Sequence, residues 1–175
     1  MTRKLWATKK TGDLIYLRIT DIDENGNLKK DNLKYLNYKK YFENYILKKD
    51  DILIARTGAT FGKTLYFNED FKATFGGYLI RINFNTDLII PKYYFYFSQL
   101  DIYWKLANRL VLGSGQPQFN ANTISNLKIP VPPLEIQKEI AKEVKSRLEK
   151  AKELKKSAIE NLQKAKKEVE KILLD

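Results

Sequence analysis

Apolar and polar positions alternate in short blocks over the first three quarters of the chain and then settle into one helical period. Residues 14–19 form a compact apolar run that predicts a strand. Residues 24–27 contain Asn25-Gly26, the strongest short turn signal. Residues 51–56 predict a mostly buried strand, ending in a loop at 57–62. Residues 63–67 predict the returning strand, and 79–84 another. Pro91 opens a helix, since its fixed φ suits a first turn. Helical spacing runs from 93 to 111 with a break near Asp101. Residues 113–118 read as a loop, and 124–131 as a brief return to the sheet. Pro130, Pro132 and Pro133 then enforce an extended segment, because a proline biases its predecessor away from the helical region.

From 134 to 174 there is no Gly and no Pro, and Lys, Glu, Ala, Leu and Ile dominate. That predicts a single long helix. Its apolar seam is Ala141, Val144, Leu148, Ala151, Lys155, Ala158, Leu162, Ala165, Val169 and Ile172, in alternating steps of three and four. The pattern is an a/d heptad seam with one polar interruption, at Lys155. A rod of this length reaches roughly 60 Å, whereas a domain of the preceding size spans about 30–35 Å. The seam therefore calls for a partner helix, with Val144 to Ile172 as its contact positions. Its orientation is open. The fold class is α+β (mixed α/β) over residues 1–133, followed by one long α-helix over 134–175 forming a coiled-coil arm.

Composition narrows the chemistry. Among 175 residues there is no Cys and no His. Disulfides, thiolate metal sites, Cys nucleophiles and the Ser-His-Asp triad are excluded. No cofactor or metal site is expected. No stretch approaches the ~18 apolar residues of a membrane span, and the N-terminal basic stretch lacks an apolar run, so the expectation is a soluble, cytoplasmic protein with no membrane partner. Lys and Arg exceed Asp and Glu, 32 to 21, for a net charge of +11. Residues 1–133 hold 20 basic against 12 acidic side chains, and the remainder 12 against 9. The excess sits in the globular part, together with nearly all the aromatics. Lys and Arg meet phosphates while Tyr and Phe stack, so the mixture suits nucleic acid. A core of aromatics under solvated lysines accounts for the same composition.

Gly58-Ala59-Thr60-Phe61-Gly62-Lys63-Thr64 superficially looks like a nucleotide-binding P-loop. Its two glycines are separated by one residue too few for that motif. A Gly- and Thr-rich loop between strands still suits a phosphate backbone. Its amides are accessible, Thr57 and Thr60 supply hydroxyls, and Arg56 and Lys63 flank it. Gln116, Gln118 and Asn120 form a second group, since amide side chains can pair with adenine. Amides in a loop more often cap backbone groups. The Asn- or Asp-Pro-Pro-aromatic motif of an amino-methyltransferase is missing, and no catalytic constellation is found.

Four stretches in this order resemble half of the DNA-specificity (S) subunit of type I restriction–modification systems. They are residues 15–22, the Gly58–Thr64 loop after an apolar strand, Gly113-Ser114-Gly115-Gln116, and above all Ile129-Pro130-Val131-Pro132-Pro133-Leu134-Glu135-Ile136-Gln137 leading into the long helix. The resemblance covers the chain from about residue 14 onward. It implies a target recognition domain reading half of a bipartite double-stranded DNA site, with no catalytic activity of its own. It further implies a helix packed on a second such helix, which spaces the half-sites. As partners it implies methyltransferase (M) subunits and, through them, the restriction (R) subunit. The chain departs from the usual subunit in having one recognition domain and one helix, and only about 13 residues precede Leu14. The reading is therefore a non-enzymatic specificity subunit that forms a homodimer through its helix. Two alternatives stay open: a recognition domain of a fused restriction-methyltransferase, and a decoy that sequesters methyltransferase subunits without binding DNA. The chain's own start codon and the lack of upstream motifs favour the separate subunit.

Overall fold

A computed structural model describes residues 11–111 and 119–174. Six short strands form two three-stranded sheets. In the outer sheet, β1 (Leu14–Leu17) lies between β2 (Lys34–Leu36), antiparallel to it, and β5 (Ala73–Phe75), parallel to it. In the central sheet, β3 (Ile52–Ala55) lies between β4 (Thr64–Tyr66) and β6 (Leu79–Ile82), both antiparallel.

β3 is buried at all four positions because its two faces meet different layers. Ile52 and Ile54 join an aromatic core with Tyr94, Phe97, Tyr103 and Phe119. Leu53 and Ala55 pack with Leu65 and Phe67 against Ile15, Leu17 and Ala73 of the outer sheet. Side chains alternate along a strand, so a continuous apolar run fits only a strand covered on both sides. On the far face of the outer sheet, Phe42 closes over Leu14 and Leu36. It comes from the 3-10 turn Lys40–Tyr45.

The helices are α1 (Pro91–Phe97), α2 (Asp101–Val111), α3 (Ala121–Ser125) and α4 (Leu134–Leu174). The break expected near Asp101 separates α1 from α2. At that break Ser98 shares a 2.6 Å hydrogen bond with Thr64 of β4 and donates to the Phe95 carbonyl. This mixed α+β architecture agrees with the expected class.

One expectation is overturned. Residues 124–131 do not return to the sheet; α3 covers residues 121–125 and an irregular segment follows. The reason is local. The side-chain oxygen of Asn120 accepts the Thr123 N–H at 2.9 Å, which satisfies an amide of the first turn and favours a helix start. Leu127 and Ile129 then pack on the aromatic core without strand pairing. β2 and β5, three residues each, were not anticipated.

α4 is one helix of 41 residues, as the pattern predicts. Its first turns belong to the globular body. Gln137 and Ala141 are buried and Val144 is half-buried. From residue 145 to 174 every position is exposed. Leu148, Leu162, Val169 and Ile172 of the seam are among these, together with Leu154 and Ile159 outside it. Pairs such as Arg147–Glu143 and Lys145–Glu149 line the rod, and surface pairs of this kind contribute only about 0.3–0.5 kcal/mol each. Among the described residues no helix is long and apolar enough to cross a membrane.

Candidate nucleic-acid interface

Three segments of backbone meet where β3 ends. Arg56 follows the strand directly. Its N–H donates to the Tyr78 carbonyl at 2.9 Å, and its own carbonyl accepts the Phe119 N–H at 2.8 Å. The 56–63 loop, the turn before β6 and the approach to α3 are thereby tied together at one residue.

The loop is closed at its mouth by two bonds, Ala55 N–H to Lys63 O and Gly62 N–H to Ala55 O, each 2.8 Å. Gly58 and Gly62 have φ of 76° and 77°, in the left-handed region that glycine enters without a steric penalty. A Cβ on Gly62 would lie 3.2 Å from the Trp104 ring. Beneath the loop, the Tyr103 hydroxyl donates to the Gly62 carbonyl at 2.8 Å. Phe61 rests edge-on against Trp104 and tilts against Phe119. Burial holds the Tyr103 phenol far above its ordinary pKa, so it stays a neutral donor at any physiological pH. A glycine-rich loop thus stands on an aromatic floor supplied by α2.

The anticipated contact residues divide. Arg56 is exposed, with Thr57 and Thr60 half-buried beside it. Lys63 stands opposite Ala55, so it shares the strand face that packs toward Ile22, and its Nζ lies 3.5 Å from the Ile22 carbonyl. Alternation along the strand sends Arg56 to the opposite face, the one carrying Ile52 and Ile54. Arg56 is therefore exposed at the head of the loop, while Lys63, half-buried like Thr57 and Thr60, directs its ammonium toward Ile22. Asn120 has its oxygen committed to the Thr123 N–H and hydroxyl. Gln116 and Gln118 lie outside the described residues.

Two other arginines of the body are already engaged. Arg18 grips Asp21 at 2.5 Å, and Arg81 donates to the carbonyls of Asn44 and Ile46. Arg56 has no ion pair with a described carboxylate, so its charge is available to a polyanion. A concavity of about 680 Å³ between β6, α1 and α3 is lined by Ile80, Phe84, Ile124 and Ile129, with Arg81 as the one charged residue on it. It presents no acid–base couple. Among the described residues no cluster of three or more His, Cys, Asp or Glu could hold a metal. The loop offers an exposed guanidinium and hydroxyls, groups suited to recognition rather than to reaction.

Residues 1–164 match the family model of the type I restriction modification DNA specificity domain. The chain belongs to that family. It is 28% identical over 142 residues to the type I restriction enzyme MjaVIII specificity subunit of Methanocaldococcus jannaschii, covering 79% of this chain and 33% of that subunit. Two solved structures share its fold. One, from work on complex assembly and conformational transition of the type I R-M system, matches with a TM-score of 0.64 and 20% identity. The other, the HsdS subunit from Thermoanaerobacter tengcongensis, matches with a TM-score of 0.56 and 19% identity. Each match covers 81% of this chain and 37% of the other. The chain spans about a third of the length of the relatives it matches.

In this specificity domain two residues stand out that pattern analysis gave no role. Gln137 is fully buried. Its Oε1 accepts the Ile90 N–H at 2.8 Å, and its Nε2 donates to the carbonyls of Leu88 and Pro132 at 2.8 and 2.7 Å. The signal was present: position 137 falls in step with Ala141 and Val144, a polar residue on the inward stripe. Tyr78 is the second. It bonds to Arg56 through its backbone and projects into solvent. Its signal was an aromatic directly after Gly76-Gly77 and before an apolar strand.

Proposed function

We propose that this chain is the non-catalytic DNA-reading part of a type I restriction–modification specificity subunit. Residues 1–133 form the target recognition domain and 134–175 the helical arm. The domain reads one half of a bipartite site in double-stranded DNA through the surface around Arg56, Thr57 and Thr60. The arm pairs with the same arm of a second copy, so that two domains face a palindromic site with a fixed gap. Methyltransferase subunits, and through them the restriction subunit, assemble on this pair, in the cytoplasm where the DNA is. Gln116, Gln118 and Asn120 remain proposed contacts, with Asn120 limited by its cap. Lys63 remains one too, as a secondary contact that must first leave Ile22.

The observation that carries this reading is the family match over nearly the whole chain. Two structural features support it. The body presents the exposed Arg56, which has no ion pair with a described carboxylate, at the head of a glycine-rich loop. The arm, held to the body by Gln137, leaves its seam uncovered from Leu148 onward. The test is co-expression with a partner methyltransferase subunit and sequencing of methylated adenines. The expected result is a palindromic motif with a constant spacer. Tight methyltransferase binding with no DNA affinity would instead select a decoy.

A further inference from the structure

We infer that Tyr78 is a specificity-determining residue, whose ring presses on the bases of a duplex held at Arg56. This rests on the DNA-reading function proposed above and assigns that function a residue.

Tyr78 is 69% exposed, and among the described residues no aromatic side chain is more so. It does not sit on a loose loop. The connection from β5 to β6 is three residues long and fastened at its first and last residues. Gly76 N–H donates to Leu17 O at 2.9 Å, Arg56 N–H donates to Tyr78 O at 2.9 Å, and Leu79 N–H closes back on Gly76 O at 2.9 Å. Beneath it, a Cβ on Gly76 would stand 2.8 Å from the Tyr16 hydroxyl, so the turn is packed down on β1. Leu79, next in sequence, is buried and anchors β6. The ring is therefore held out on a fixed stub, and contact with it costs little ordering entropy.

Its neighbours say what it meets. One hydrogen bond away is Arg56, the exposed cation of the interface. Gly58 and Gly77, on either side of the pair, have nothing within 4 Å of where a Cβ would be. That open backbone lets a phosphate strand come close. Phosphate contacts fix the register of a duplex and leave sequence to whatever reaches the base edges. An uncharged ring on the residue whose backbone is bonded to Arg56 adds nothing to phosphate attraction. It offers apolar area to a thymine methyl or an opened base step. The exposed Tyr41 and Tyr45 differ: they pack on one another, and Tyr45 packs on Phe75.

The experiment uses the full chain and a pool of random duplex DNA. The site selected by the wild type is compared with a scrambled duplex, for wild type, Tyr78→Ala and Tyr78→Phe. The expected result is a 10- to 100-fold loss of affinity for the selected site in Tyr78→Ala, the size of one good base contact. Affinity for the scrambled duplex and the salt slope stay unchanged, because no charge is lost. Tyr78→Phe keeps wild-type affinity, and both variants melt within about 2 °C of wild type. If the wild type selects a site and Tyr78→Ala binds it equally well, the assignment fails and the DNA-reading function stands. An equal loss on both duplexes overturns it too. If Tyr78→Phe is as weak as Tyr78→Ala, the ring is not the reader. A wild type that enriches no duplex overturns both the assignment and the function beneath it.

Discussion

The hydroxyl of Tyr103 donates to the carbonyl of Gly62 at 2.8 Å, joining α2 to the glycine-rich loop across 41 positions of sequence. Removing it leaves a buried carbonyl without its donor. Tyr103→Phe should cost about 1–2 kcal/mol and lower the melting temperature by roughly 2–6 °C. The same burial has a signature in alkali. Tyr94 and Tyr103 are both raised well above the ordinary phenol, first of all by desolvation. Below pH ~10 both states keep the proton; above it the unfolded chain releases a proton that the folded one retains. Stability is therefore full below pH ~10 and falls above it, by about 1.4 kcal/mol per pH unit for each group. Denaturant titrations from pH 9 to 11.5 should show this fall (flatter in the double Phe variant), with tyrosinate absorbance rising at unfolding.

Arg56 and Lys63 flank one loop but face opposite ways. Arg56→Ala should weaken duplex binding and reduce the slope of log affinity against log salt by about one. Lys63→Ala should change that slope by much less, because its ammonium is drawn toward the Ile22 carbonyl. Fluorescence anisotropy over a salt series separates the two; equal slopes for both variants would contradict the inward placement of Lys63.

Asn120 acts first as a helix cap. Asn120→Ala should cost about 1 kcal/mol, seen as a lower melting temperature, and change the methylated sequence little, because its oxygen is held by Thr123 and only its amide N–H groups are left for a contact. Asn120→Ser, which can cap, should recover the stability. A shifted recognition sequence at unchanged stability would make Asn120 a reader instead.

The uncovered seam of α4 is the proposed dimerisation surface. Leu162 is 58% exposed and Ile172 77% in the single chain, and such a stripe is expected to be covered by a partner. Replacing Leu148 and Leu162 together by Asp should halve the mass seen in analytical ultracentrifugation, with the helical content of the body retained. A mass already monomeric in the wild type would refute pairing through the arm.

The strands β1, β3, β4 and β6, the Pro91 helix start and the long arm were legible because each is announced by its own residues. β5 was not: Ala73-Thr74-Phe75 is too short to show a period, and it forms only because β1, almost sixty residues earlier, offers a parallel edge. α3 was misread because Ile124, Leu127 and Ile129 resemble a strand in composition, while the deciding signal was the cap at Asn120. At the interface, the loop was legible from its glycines. The inward turn of Lys63 depended on the face of β3 it inherits, and the place of Tyr78 on a bond to Arg56. Neither is written in local spacing.

Gln137 makes the meeting of arm and body a splice rather than a hinge. Two hydrogen bonds joining one buried amide to Leu88 and Ile90 of the body, with a third to Pro132 just before the helix, fix the helix in direction and also in rotation about its own axis. Lengthening such a rod cannot be a pure translation. One added residue advances the far end by about 1.5 Å and swings it through about 100°. Seven added residues advance it by about 10 Å and bring it back to within about 20° of its original heading. Whatever grips the distal end thus sees the Arg56 surface of the body at a set azimuth, and the separation between them is quantised. Insertions of seven should keep the Arg56 surface near its original heading, and insertions of one or two should turn it well away.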